Sequence, residues 1–398
     1  MRRGIRARLV FDGYTRQDWD AVVVLEGDRI LWVGRPEDAP ACPIIDLRGM
    51  FLLPGLIDPH VHLEWSAAHT HAGVRADYLR EAAKPPELAA RARLNALELV
   101  RSGVTTARDC GSSHQLLKLR EDIAQGIVGG PDLLVCGPPI TKKRGHLFWM
   151  GQVIDGRPSA ERAVREAAAA GVDGIKVIAS GGFLTPESSP FAPQFTASLL
   201  ECIQATANES GLPVVAHAHD VASIQRCVDA GIGTIDHGLF YGRDGRQRIV
   251  KPVLEAMATA DVALGLSGSG TLRSNLGAEG GIERIASTLA PHRQARAQGV
   301  RVLIHSDAGA HATSFGGFAE TLRVAQVGLG LQPEAILRIV TSGAAAALGL
   351  GNRAGAIRAG MRADLVITRA DPLVDLANLA AVEDVIARGR CVRQNYWT

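Results

Sequence analysis

Between residues 54 and 353 the chain repeats one pattern, a short apolar β-type run followed by a helix-like stretch. The runs are Gly55–His62, Val104–Asp109, Leu133–Pro138, Gly174–Ala179, Pro213–His219, Thr234–His237, Val262–Leu266 and Arg301–Asp307. Helix-like segments such as Leu88–Val100, Ala160–Ala170, Thr196–Ser210, Val221–Ala230 and Pro252–Ala260 lie between them. Gly103, Gly171, Gly211, Gly231 and Gly299 each stand just before a run, where a helix closing in the left-handed conformation needs glycine. Alternation of this kind builds a parallel β/α architecture, and eight units favour a closed barrel over an open sheet. No GxGxxG follows the first run, which speaks against a dinucleotide-binding open sheet.

Both ends of the chain have a different rhythm. Arg6–Phe11, Ala21–Leu25 and Arg29–Val33 are short β-type runs punctuated by Gly13, Gly27-Asp28 and Gly34. Gly355–Ile357, Ala363–Thr368 and Val382–Arg388 are again short and β-like. The expected organisation is a small β-domain from residues 1–53 and 354–398 and a catalytic (β/α)8 domain from 54–353. Hydrophobic residues make up 46% and charged residues 21%, enough apolar chain for a substantial core. A net charge of +2 gives no reason to expect a nucleic-acid or membrane partner. The N-terminal arginines are followed by no apolar stretch, so they do not read as a secretory signal. Six cysteines without CxxC spacing read as reduced thiols in a cytoplasmic protein. A homo-oligomer is expected.

Residues of metal-ligand type fall at the ends of the β-runs. His60 and His62 are two apart, so on a strand both imidazoles point the same way. Lys176, His217, His237 and Asp307 follow at the ends of the fourth, fifth, sixth and eighth runs. In a parallel barrel these ends form one mouth, where catalysis occurs. Neutral imidazole and carboxylate suit Zn²⁺ or a similar ion. A plain lysine does not, because it is a cation at neutral pH. Any one of these residues taken alone also fits a satisfied polar side chain at a strand end.

The motifs PGLIDPHVHL, DGIKVIASGG, VVAHAHD, TIDHG and IHSDAG resemble those of the metal-dependent amidohydrolase superfamily. The tail GAIRAGMRADLVI resembles its C-terminal β-sandwich, and ASGG with Arg144-Gly145-His146 looks most like the branch of binuclear dipeptidases, prolidases and small-amide hydrolases. The resemblance implies a (β/α)8 TIM-like barrel, with a β-sandwich built from both termini. It implies two divalent metal ions of the Zn²⁺ type, bridged by a CO₂-derived carbamate on Lys176. His60, His62 and Asp307 would hold one ion, and His217 and His237 the other. A hydroxide bridging the pair would attack the scissile carbonyl, with Asp307 taking its proton and returning it to the departing amine.

Several neighbours have two readings. His219 shares a face with His217, so either fits a ligand; the resemblance points to His217 and leaves His219 a substrate contact. His146 resembles a histidine that polarises the carbonyl or grips substrate, and fits a loop histidine nearly as well. Asp109 and Asp58 are expected to support the ligands. Asp236, one position from His237, is expected to face outward. His69, His71, His114, His292, His305 and His311 are expected to be ordinary surface or strand residues, although His69, His71 and His311 lie in loops at the mouth.

Aromatic residues are sparse yet gather after the β-runs, among them Trp65, Phe183 and Tyr241. They suit either an apolar substrate pocket or the packing of loops onto the rim. Arg144 and His219 are the candidates to hold a substrate carboxylate. The expected substrate is a small amide, such as a dipeptide or an N-acyl amino acid with a hydrophobic group. A deaminase on the same scaffold competes, although relatives of that kind usually lack the lysine and carry glutamate where Asp220 stands. Carbamates and esters are open to the same attack.

Overall fold

Aliphatic and β-branched runs bounded by glycine and proline set the strands of this chain. A computed structural model describes residues 2–393. The last five residues of the expected 354–398 segment, and Met1, lie outside the described residues.

All eight expected runs of the middle region are strands that pair in parallel. Leu56–Val61, Val104–Asp109 and Asp132–Val135 make one sheet. Ile175–Ile178, Val214–Asp220, Thr234–Tyr241, Ala263–Ser267 and Arg301–His305 make a second, extended by Ile140–Lys142 and Gln152–Ile154. Backbone hydrogen bonds join the two sheets at two seams. At one seam the His62 amide donates to the Ala308 carbonyl at 2.8 Å, and the Asp307 amide to that of His60 at 3.1 Å. At the other, the Asp173 amide donates to the Val135 carbonyl at 2.8 Å while its carboxylate accepts the Val135 amide.

Helices cover these strands, including Pro85–Arg101, Arg157–Ala170, Ala197–Glu209, Val221–Asp229 and Lys251–Thr259. All five glycines expected to end helices have positive φ, from +65° at Gly211 to +99° at Gly103. Among the described residues no helix is long and apolar enough to cross a membrane, and all six cysteines are free.

The two chain ends share one seven-stranded sheet. Its order is Arg390–Cys391, Val382–Ala387, Leu365–Thr368, Ile44–Pro54, Arg2–Phe11, Arg16–Glu26 and Arg29–Gly34. It is one continuously hydrogen-bonded series rather than two separate layers. Ile30 and Ile386, from opposite ends of that series, share one core, so the sheet curls over its own inner face. Successive residues divide between two cores, as strand geometry requires. Leu52, Leu365 and Ile386 enter the sheet's own core, whereas Leu53, Val366 and Val385 pack against the β/α body.

One terminal expectation is corrected, and one strand was not expected. Gly355–Ile357 is not a strand but a loop, tied down by the Ile357 amide donating to the Asp12 carbonyl at 2.9 Å. Ile44–Pro54 is a strand that the sequence hides, because its register against Arg2–Phe11 shifts around Gly49, whose φ is +92°.

Candidate metal centre

The parallel strands carry their last residues to one end of the body, where a cavity of about 620 Å³ opens. His60, His62, Lys176, His217, His237 and Asp307 all line it, although they come from five strands or their immediate continuations. His60 Nε2 and His62 Nε2 are 3.1 Å apart, and they lie 3.4 and 3.3 Å from Asp307 Oδ1. The His217 and His237 rings follow, 4.6 Å apart between centroids, with His237 5.2 Å from His60. Asp307 and His237 reach in from left-handed backbone, at φ +60° and +70°. Such conformations cost energy for non-glycine residues and concentrate at functional sites.

Burial decides the protonation of this cluster. It lowers the His60 pKa to about 3, aided by the nearby Lys176 ammonium. It also holds His217 and His237 well below the usual imidazole value and brings His219 to about 4. His62 is the exception: burial is the largest single influence and opposes its charge, but the hydrogen bond to Asp307 and the negative charges of Asp307 and Asp109 together outweigh it and raise the pKa. Two unprotonated nitrogens 3.1 Å apart repel each other unless a proton or a cation lies between them. Neutral imidazoles converging with a carboxylate are the donor set of a divalent cation, so these residues fit one.

Lys176 is buried, and its Nζ contacts the Asp236 carboxylate, which also lies 2.9 Å from His60 Nδ1. Asp236 therefore does not face outward. The alternation rule fails there because His237 and Gly238, at φ +70° and +50°, distort the strand, whose register against its neighbour shifts at this point, and let two successive side chains reach the interior. An acid immediately before a candidate ligand in TIDHG was the available signal. The carboxylate steadies both a candidate ligand and the lysine.

The other acids act mainly through backbone. Asp109 accepts from the Leu63 amide at 2.7 Å, fixing the chain just after His62 rather than an imidazole itself. Asp58 accepts from the Ser306 hydroxyl and amide, which locks the strand of His60 to the residue preceding Asp307. Two histidines expected to be ordinary are part of the interior. His305 stacks on His60 with centroids 4.7 Å apart, and His292 Nε2 lies 2.8 Å from the His237 carbonyl. His71 and His311 line the cavity, whereas His69 and His114 are exposed.

The sequence model of the Amidohydrolase family matches residues 51–392. This chain belongs to the amidohydrolase family. It is a hydrolase acting on C–N bonds. Its relatives include ochratoxinase of Aspergillus niger, 25% identical over 94% of this chain and 82% of that protein. Imidazolonepropionase of Pseudomonas fluorescens is 26% identical over 90% of both chains. Among solved structures, a Xaa-Pro dipeptidase with methionine bound in its active site superposes with a TM-score of 0.82. It is 24% identical, covering 98% of this chain and 99% of that one. Phenylurea hydrolase B gives 0.83 at 21% identity, covering 99% and 97%. At that identity the structural likenesses speak for the fold alone.

Around the centre of this amidohydrolase the expected substrate contacts divide. His146, His219 and Tyr241 line the cavity, and the His146 ring lies 4.7 Å from that of His217. His146 fits there because position 182 is glycine: a Cβ at Gly182 would come within 2.5 Å of its ring. Arg144, by contrast, is exposed and does not line the cavity. The loop turns at Arg144, at φ +57°, and carries His146 inward instead. The aromatics divide too. Trp65, Phe183 and Tyr241 line the cavity, whereas Phe195, Phe240, Phe315 and Phe318 are buried as core.

Proposed function

We propose that this protein is a binuclear metal-dependent hydrolase that cleaves the amide bond of a small substrate, a dipeptide or N-acyl amino acid bearing a hydrophobic group. The observation that carries the reading is the convergence of His60, His62 and Asp307 on one point, with His217, His237 and Lys176 around the same cavity. His60, His62 and Asp307 would hold one ion, His217 and His237 the second, and Lys176 would bridge them as a carbamate. Bound there, divalent cations such as Zn²⁺ acidify water and polarise a carbonyl.

The chain's own residues supply the rest. Asp307, beside the reacting centre, takes the proton of the attacking water and returns it to the amine, which leaves poorly unless protonated. His146 and His219, both on the cavity wall, hold the carbonyl side of the substrate. Trp65, Phe183 and Tyr241 receive its apolar group. The paired seams between the two parallel sheets support a closed (β/α)8 barrel over 54–353, with the terminal β-domain formed by 1–53 and 354–398. The free cysteines suit a cytoplasmic setting, and we expect a homo-oligomer.

Deamination is the weaker alternative. Asp220, standing where deaminases carry glutamate, is buried and caps the helix Val221–Asp229 by accepting from the Ser223 amide at 3.0 Å. It does not line the cavity. The test is a panel of dipeptides, N-acyl amino acids, carbamates, esters and ring amides with metal-reconstituted protein. Amide cleavage without ammonia release is expected. Lys176→Ala should lose turnover and bind fewer than two metal equivalents by elemental analysis. Full activity and full metal content in that variant would exclude the bridge.

A further inference from the structure

Every serine, threonine and asparagine on the cavity wall comes from one segment, residues 267–288, after the seventh parallel strand of the body. The aromatic lining comes from other loops. Hydroxyl and amide groups are thus concentrated on one stretch of wall, and that stretch also carries a cation. Arg284, on the helix Gly281–Thr288, lines the cavity while remaining exposed, which places it at the mouth.

Its orientation is set from below. Arg284 Nε donates to Asn275 Oδ1 at 2.7 Å, and Asn275 Nδ2 donates to the Thr271 carbonyl at 2.8 Å. Thr271 and Asn275 line the cavity as well. With Nε engaged, the two terminal amino groups form a free fork, the shape that grips a carboxylate through two parallel hydrogen bonds. Among the described residues no acid forms an ion pair with Arg284. Among the described residues Asp307 is the one carboxylate on the wall, and it belongs to the candidate metal cluster rather than to the mouth segment.

We propose that Arg284, oriented by Asn275, receives the free carboxylate of the substrate, and that this enzyme selects N-acyl amino acids or dipeptides over neutral amides. The proposal rests on the amide-hydrolase reading above and gives Arg284 the role that the sequence suggested for Arg144. An aromatic acyl or side-chain group then lies against Phe183 and Tyr241 while the carboxylate remains at the partly hydrated mouth.

Binding separates this proposal from the reaction itself. The probe is N-benzenesulfonyl-phenylalanine, whose sulfonamide resists hydrolysis, compared with its carboxamide by calorimetry on the metal-loaded protein. The free acid should bind about tenfold or more tightly than the carboxamide, the scale of a charge-assisted pair that stays partly solvated. Arg284→Met should weaken the acid by about the same factor and the carboxamide much less, with metal content unchanged, and Arg284→Lys should retain part of the preference. Equal binding of acid and carboxamide by the wild type, no binding of either, or an unchanged ratio in Arg284→Met overturns the proposal. Failure to cleave any amide despite a carboxylate preference would instead sink the hydrolase reading and leave the carboxylate site standing.

Discussion

Asp236 shows what a single side chain contributes at this centre. It is buried, it contacts the Lys176 ammonium, and it lies 2.9 Å from His60 Nδ1, on the side of the ring away from the cavity-facing Nε2. A carboxylate in that position fixes ring orientation and tautomer, and losing such a partner typically costs metal affinity by about 10–100-fold. Asp236→Asn should therefore weaken metal binding within that range while the fold persists, as read by titration against a chelator of known affinity. Affinity equal to wild type would show that Asp236 serves the core alone. The candidate ligands were legible residue by residue, since imidazoles two apart and acids at strand ends are chemical statements in themselves. Asp236 was not, because a positive φ at His237 overrides strand alternation and no residue type announces it.

At the scale of elements, the strand ends concentrate buried imidazoles, and that has a consequence for pH. His60, His146, His217, His219, His237, His292 and His305 all have lowered pKa values, with burial the largest cause; those of His146 and His292 are about 3 and about 4. The unfolded chain takes up protons at these sites below about pH 6.5, while the folded chain does not until the pH is far lower. Their contribution to stability is therefore complete above about pH 6.5 and is lost as the pH falls toward 4. Burial raises Asp58 and Glu64 to about 7, which gives the opposite sign and offsets only part of the loss. The metal-free protein should become progressively easier to unfold in denaturant between about pH 7 and pH 5. His292→Gln should flatten that slope, and an unchanged slope would show that His292 takes up its proton over the same pH range in the folded and unfolded chain. The elements were readable from apolar period and helix-ending glycines. The strand Ile44–Pro54 escaped, since a register shift around Gly49 spoils the period on which such reading depends.

For the whole molecule, the join between terminal sheet and β/α body decides whether the two behave as one. Arg362 is 5% exposed and reaches Asp132 and Thr106 of the body strands as well as Asp364 beside the sheet strand Leu365–Thr368. Asp132 is shared with Arg388 and Arg353. Removing one partner of a buried ion pair leaves the other charged and unsolvated, at a cost of about 3–5 kcal/mol. Arg362→Met should destabilise the protein toward the lower end of that range, because Arg388 still faces Asp132. Equilibrium unfolding in denaturant measures it. A loss below about 1 kcal/mol would mean that the apolar contacts of Leu53, Val366 and Val385 hold the join alone.

What the sequence by itself determined is local or chemical: eight parallel β/α units, a β-type pair of chain ends, and residues able to hold metal at strand termini. These follow from side-chain period and donor chemistry, which are properties of short windows. The tertiary structure alone decided which groups meet. It turned Asp236 inward, carried Arg144 out of the cavity wall, and brought Arg284 to the mouth. Each outcome depends on backbone dihedrals and on loops folding across one another, and distances between residues far apart in the chain are written in no window of sequence.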